Sequence, residues 1–210
     1  MKTVGTLLGT VLAALLLAGP AAAQLPLAAT DAELVRRVEA YLEDLTTVQA
    51  RFVQHSQAGG FAQGTFYLSR PGRMRIEYDP PIPFLYVADG FWLTFWDDEL
   101  KQRTDVPLGS TLADFLIRED VSLSGDVTVR DVRRSAEFGE VELDLIQTDD
   151  PGAGMLTLVF ADEPMAFRRW TVLDAQGLFT EVTLNDPTYG VDLDSSLFRA
   201  PRPPRRTRED

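Results

Sequence analysis

Between Phe61 and Trp96 the chain reads FAQGTFYLSRPGRMRIEYDPPIPFLYVADGFWLTFW, and this stretch limits the folds open to the whole. Side chains on a strand point alternately to its two faces. Ala62, Phe66 and Leu68 alternate with Gln63, Thr65 and Tyr67, and Met74, Ile76 and Tyr78 alternate with Arg73, Arg75 and Glu77. The runs Phe84 to Ala88 and Phe91 to Trp96 are apolar at nearly every position and are joined by Asp89-Gly90. Asp-Gly between apolar runs predicts a hairpin with a type I′ turn, which needs φ > 0 at both central residues. Strands that are apolar on both faces must be covered on both faces. Something elsewhere in the chain has to provide the second cover.

Strand-like segments also fill much of the remainder. Thr47 to Gln57 alternates, with Val48, Ala50 and Phe52 on one side. Glu99 to Thr104 reads as a polar strand partner. After Gly125, strands are expected over 126–133, 139–147, 154–161, 166–174 and 177–186, with Leu143, Leu145, Leu156, Leu158, Phe160, Trp170, Val172, Val182 and Leu184 facing inward. The links between them are short and rich in Asp, Pro and Gly, so successive strands run antiparallel. The fold class is mainly β (α+β): a single curled antiparallel sheet of about eleven strands.

Two segments break the two-residue period. Residues 30 to 45 form an amphipathic helix, with Thr30 and Glu33 spaced as a capping box and Leu34, Val35, Val38, Leu42 and Leu45 on one stripe. One such helix ahead of a sheet packs across it. Leu112, Phe115 and Leu116 follow i, i+3, i+4 spacing within the 105–125 insert, so a short helix is expected at Leu112 to Ile117. A helix this short is marginal alone and must rest on apolar surface. The sheet then either closes into a barrel or curls and is capped by these helices. Its interior is either a solid core or a ligand cavity. Aromatic runs are more often core than ligand site, so the solid core is the default; bulky, Met- and aromatic-rich side chains and a hinge-like Pro107 and Gly109 shift the balance towards the cavity.

The ends read differently. Residues 1 to 23 have the form of a cleaved export signal: Lys2, an apolar run from Leu7 to Ala18, and Ala21-Ala22-Ala23. That run is short for a membrane span. The expected mature domain covers 24–200, and residues 201–210 (PRPPRRTRED) form a mobile tail. There is no cysteine, so disulfides, thiolate chemistry and an N-terminal lipidated cysteine are excluded. A net charge of −12 argues against nucleic acid as a partner. His55 is the only histidine, and no G-x-S-x-G surrounds a serine. Neither a catalytic triad nor a histidine-based metal site is legible, and no enzyme activity, metal or cofactor is expected.

Ser69-Arg70-Pro71-Gly72-Arg73-Met74-Arg75-Ile76-Glu77-Tyr78, followed by Val87-Ala88-Asp89-Gly90 and preceded by Arg51-Phe52-Val53-Gln54, resembles the outer-membrane lipoprotein carriers, the LolA-like proteins of Gram-negative bacteria. The resemblance runs through most of the mature chain and is strongest from Val48 to Thr104. It implies an unclosed β-barrel with a helical lid over an apolar cavity. It implies a soluble periplasmic carrier that takes triacylated lipoproteins from an inner-membrane ABC-type release complex to an outer-membrane acceptor; no strand edge looks built for pairing, so a monomer is expected. A carrier or sensor of another amphiphile, such as a glycolipid, remains the alternative on the same fold. Arg70 stands where the family has an arginine that latches the lid. Met74 stands where the family often has a large apolar residue that influences hand-over. With the inward parity of the strands, the expected acyl-cavity residues are Phe52, Phe66, Leu68, Met74, Ile76, Phe84, Tyr86, Phe91, Leu93, Phe95, Leu143 and Leu158. The expected lid and latch are Leu112, Phe115, Leu116 and Arg70.

Overall fold

Short turns make each strand fold back on the last, and two meanders result. A computed structural model describes residues 29–57 and 59–204. The export signal expected over residues 1–23, and residues 205–210 of the expected tail, lie outside these. The first meander is β1 (Thr47–Ser56), β2 (Gly60–Ser69), β3 (Arg73–Tyr78), β4 (Phe84–Asp89), β5 (Trp92–Asp97) and β6 (Gln102–Pro107). The second is β7 (Val127–Ser135), β8 (Glu140–Gln147), β9 (Gly154–Ala161), β10 (Ala166–Asp174) and β11 (Phe179–Tyr189). They join through antiparallel pairing of β1 with β11. The result is one eleven-stranded sheet in the order β6-β5-β4-β3-β2-β1-β11-β10-β9-β8-β7. The barrel is unclosed, because β6 and β7 are not paired with each other. Open edges invite pairing with other chains. Here β7 carries a bulge between Val129 and Asp131, with Arg130, Asp131, Arg133 and Arg134 around it, and β6 ends in Pro107. Residues 108–126 run from one edge strand to the other.

The N-terminal helix α1 (Ala29–Asp44) lays its apolar stripe on the inner face of the sheet. Leu34, Val38 and Leu42 are at most 1% exposed. Tyr41 fixes its position: its hydroxyl accepts the Phe167 N–H at 2.9 Å, and its ring meets Phe160 edge-on at 5.7 Å. Thr30 lies inside the helix rather than at its cap, and Glu33 pairs with Arg36, so the expected capping box is not formed. The cap position precedes the first described residue. Beneath α1 the interior is solid. Phe66, Phe160, Phe167 and Trp170 pack ring to ring, with centroids 5.2–5.9 Å apart.

The outer face of the apolar hairpin is covered by the C-terminal segment. A 3₁₀ turn at Ser195–Phe198 lies on β3 and β4. Ala200 packs against Leu85, Val87 and Trp96, which point away from the main core. Arg75 donates to the Leu197 carbonyl at 3.0 Å, and Arg103 to that of Pro201 at 3.4 Å. The Arg73 guanidinium sits 5.5 Å over the Phe198 ring. The second cover demanded by the doubly apolar strands therefore comes from the far end of the chain, which stays on the sheet as far as Pro201.

The hairpin turn differs in type from the one expected. Among its residues Gly90 alone has positive φ, at 104°. Gly90 and Phe91 are the central pair, the arrangement of a type II′ turn with glycine in first place. Asp89 contributes through its side chain instead, accepting the Phe91 and Trp92 N–H groups at 3.0 and 2.9 Å.

Candidate functional site

Where the two halves of the curled sheet face each other, the packing leaves a cavity of about 410 Å³. Strands β3 to β5 supply Met74, Ile76, Tyr78, Tyr86 and Leu93 as one wall. Strands β9 to β11 supply Leu156, Leu158, Trp170, Val172 and Val182 as the other. Gln54 and Thr180 add polar groups. Leu112, Ala113 and Leu116 roof it from the insert between the edge strands.

The roof is slight. Its helix α2 (Asp114–Ile117) has four residues, shorter than the expected Leu112–Ile117, with a 3₁₀ turn at Leu108–Ser110 before it. A single helical turn has no stability of its own. Docking holds it: Phe115, Leu116 and Ile117 are each at most 5% exposed. Arg118 lies 4.9 Å over the Phe115 ring and pairs with Asp126 at 3.0 Å. Helix termini leave carbonyls without intrahelical partners, and the β2–β3 turn meets them. The Gly72 N–H donates to the Ile117 carbonyl at 2.6 Å. The Arg70 guanidinium donates through Nη2 to the carbonyls of Arg118, at 2.6 Å, and Glu119, at 3.2 Å. Its Nε and Nη1 are buried with no partner among the described residues. Burial pushes the Arg70 pKa below its usual range, against the pull of Glu43.

The expected site residues divide into three groups. Met74, Ile76, Tyr86, Leu93 and Leu158 line the cavity, and Leu112 and Leu116 roof it. Phe52, Phe66, Leu68 and Leu143 do not reach it: all are at most 1% exposed and belong to the solid part of the interior. Phe115 is likewise packed under the roof rather than lining the space. Phe84, Phe91 and Phe95 lie off the cavity for a different reason. Phe91 falls in the hairpin turn beyond the strand end and is 81% exposed. Phe95 packs its ring against Tyr86 at 5.0 Å, and Phe84 packs against Phe95 at 5.3 Å, further along the inner face. Alternation reports which face a residue takes, not how far along the strand it lies. The same parity rule could have found Gln54, two residues beyond Phe52, and Tyr78, two beyond Ile76. It had already put Leu156, Trp170, Val172 and Val182 on the inner face, but nothing in it separated cavity wall from core.

Burial around the cavity is felt by its tyrosines. Tyr78 is pushed from its ordinary value of 10.0 up to about 12, chiefly by burial and then by Tyr86 beside it, against the opposing effect of its bond to Gln54. Burial raises Tyr86 as well. A raised phenol favours the neutral form in the folded state. The stability it contributes is therefore complete below pH about 10 and lost as pH rises towards 12. Urea-unfolding midpoints measured across that window should fall, and Tyr78→Phe should remove on the order of 2–3 kcal/mol of the fall. An unchanged pH dependence in Tyr78→Phe would show that Tyr78 titrates as if exposed.

Among the described residues there is no cluster of three or more His, Asp and Glu side chains that could hold a metal ion. His55 is exposed on β1, with its ring 5.8 Å from that of Phe179. No described helix is long and apolar enough to cross a membrane.

Comparison with known proteins supplies the context for this geometry. The sequence profile described as outer membrane lipoprotein carrier protein LolA matches residues 43–201. An outer-membrane lipoprotein carrier protein of Methylococcus capsulatus is 27% identical over 171 residues, covering 78% of this chain and 81% of that one. The protein of the same description from Chromohalobacter salexigens is 27% identical over 170 residues, covering 77% and 80%. Among solved structures, a DUF1329 family protein from Desulfovibrio piger superposes with a TM-score of 0.53 at 11% identity, covering 81% of this chain and 96% of that one, a likeness of fold alone.

Proposed function

Because the chain belongs to the LolA family of outer-membrane lipoprotein carrier proteins, we propose that it carries the acyl chains of lipoproteins across the periplasm in the cavity beneath α2. The cargo comes from an inner-membrane ABC-type release complex and goes to an outer-membrane acceptor. Residues 1–23 direct export and are removed, residues 24–200 form the carrier, and residues 201–210 its tail. The family is one of carriers, and no catalytic role is assigned to any residue.

The observation that carries this reading is the apolar cavity roofed by one helical turn and tied to Arg70. Each methylene exposed to water costs about 0.8 kcal/mol, so one chain of roughly sixteen carbons costs on the order of 13 kcal/mol. A lipoprotein needs cover of that size to leave a membrane. The cover must also yield, or cargo is never released. A roof without intrinsic stability, over a cavity lined by a soft side chain such as Met74, meets both demands.

Native mass spectrometry of the mature protein, purified gently from a Gram-negative periplasm, tests this. Wild type is expected to carry a fraction of triacylated lipoprotein. Val182→Trp, which fills the cavity from β11, is expected to carry none. A retained glycolipid or other amphiphile in place of lipoprotein would keep the cavity and change the cargo. If neither protein holds any acyl ligand and both exclude an apolar dye, the cavity is not a binding site.

A further inference from the structure

A second chamber adjoins the first. It has a volume of about 450 Å³ and lies towards the β1–β2 turn, lined by Phe61, Ala62, Ile82 and Phe84 and, at the turn itself, by Ser56, Gly59 and Gly60. Gln54, Tyr78 and Tyr86 line both chambers, one from each side. Between the chambers stands one side-chain hydrogen bond: the Tyr78 hydroxyl donates to Gln54 Oε1 at 2.5 Å.

Three observations point to an apolar occupant for this space. The first is volume. A methylene occupies about as much room as a water molecule, ~30 Å³, so a chain of roughly sixteen carbons needs on the order of 500 Å³. The 410 Å³ beneath α2 suits about one such chain, while the proposed cargo has several. The second is continuity. Tyr78, Tyr86, Phe95 and Phe84 form a run of rings with successive centroids 6.3, 5.0 and 5.3 Å apart, leading from the first chamber into the second. The third is exposure. Phe61 is 62% and Phe84 38% exposed at the mouth of the second chamber, Phe84 on the inner parity of β4 and Phe61 at the start of β2, on the outward parity of Gln63. Apolar side chains gathered at an open mouth are unusual unless something covers them.

We propose that the chamber behind the Tyr78–Gln54 bond is a second fatty-acyl subsite, made continuous with the first when Tyr78 swings aside, and that it takes a further chain of the same multi-chain lipid. This rests on the carrier reading above. Tyr78 is suited to the role of divider. Its ring stays apolar on either side, packed edge-on against Phe52 at 5.3 Å, while its one bond can be broken and remade as chains pass.

The experiment is a titration with palmitic acid, read as bound stoichiometry by native mass spectrometry. Wild type is expected to take two palmitates per chain. Ala62→Trp, which fills the second chamber, is expected to take one. So is Phe84→Asp, which places a carboxylate there at an exposed position and so guards against misfolding of the first variant. Tyr78→Phe lacks the dividing bond and is expected to take its second palmitate about fivefold more tightly than wild type. Two palmitates in both chamber variants would overturn the subsite. A single palmitate in wild type would overturn the subsite and leave the carrier reading standing. No palmitate in wild type would overturn both.

Discussion

Arg70→Leu is expected to bind an acyl probe about tenfold more tightly than wild type and to be purified with lipid still in its cavity. The empty, roofed state is held in part by the two bonds from Arg70 to the carbonyls of Arg118 and Glu119. Hydrogen bonds from a charged donor contribute roughly 1.5–3 kcal/mol each. Against them stand Nε and Nη1, buried without partners, each costing about 1–3 kcal/mol. These ranges overlap, so the bonds hold a latch only by their surplus over the unpaired nitrogens, a net of about 1–2 kcal/mol within the span they allow, and that surplus is what Arg70→Leu measures. A ligand that binds only when the roof lifts must overcome that latch, so its apparent affinity is reduced by the same factor. Removing the latch returns about one decade of affinity. Release then suffers for the same reason, because closure no longer competes with the cargo. Equal affinities for wild type and Arg70→Leu, measured with a fluorescent fatty acid, would mean that Arg70 only ends a strand and does not hold the roof.

The second large effect is on stability. Gly64 sits on β2 opposite both Phe52 and Tyr78. A Cβ there would lie 2.1 Å from the Glu77 carbonyl oxygen and 2.6 and 2.7 Å from two ring carbons of Phe52. The ring could shift, but the carbonyl belongs to the neighbouring strand. Overpacking of this kind typically costs 1–3 kcal/mol, occasionally more, and a clash with backbone places Gly64→Ala at about 3 kcal/mol or above. For a chain of this size that lowers the melting temperature by about 6–12 °C. Thermal unfolding followed by circular dichroism reads it directly. A melting temperature within a degree or two of wild type would mean that β2 and β3 are not this close.

Much of this architecture was legible because a period of two is a strong signal when it persists. The strands, their antiparallel order and the inner parity of Met74, Ile76 and Leu93 follow from alternation and short turns. The pairing of β1 with β11 does not, since it joins strands from opposite ends of the sheet and no local pattern encodes it. That pairing decides that Leu158 and Trp170 face Met74 and Tyr86 across a cavity. The same limit explains Phe52 and Phe66. Their parity is inward, but Phe52 packs edge-on against Tyr78 and Phe66 against Trp170, within the same solid core as α1, whose position depends on contacts such as Tyr41 with Phe167. Phe91 was misplaced by one turn residue, because an apolar run continued past the strand end. Gly64 carried a signal of its own, a small residue in a strand of bulky ones, which marks a close approach.

Residues 108–126 begin at the end of β6 and finish at the start of β7, so the sheet left open by hydrogen bonds is closed by covalent chain. The roof is therefore not a flap hinged at one end. It is a span fixed at both banks, and it can uncover the cavity only by bowing outward or by letting the two edge strands move apart. Girth and access become one mechanical variable: whatever widens the gap takes up slack from the span, and whatever closes it returns slack. Drawn straight, these residues would reach on the order of 60 Å, about twelve times the spacing of two paired strands. The reserve of length, rather than the stiffness of any element, sets how stout a cargo the molecule can admit.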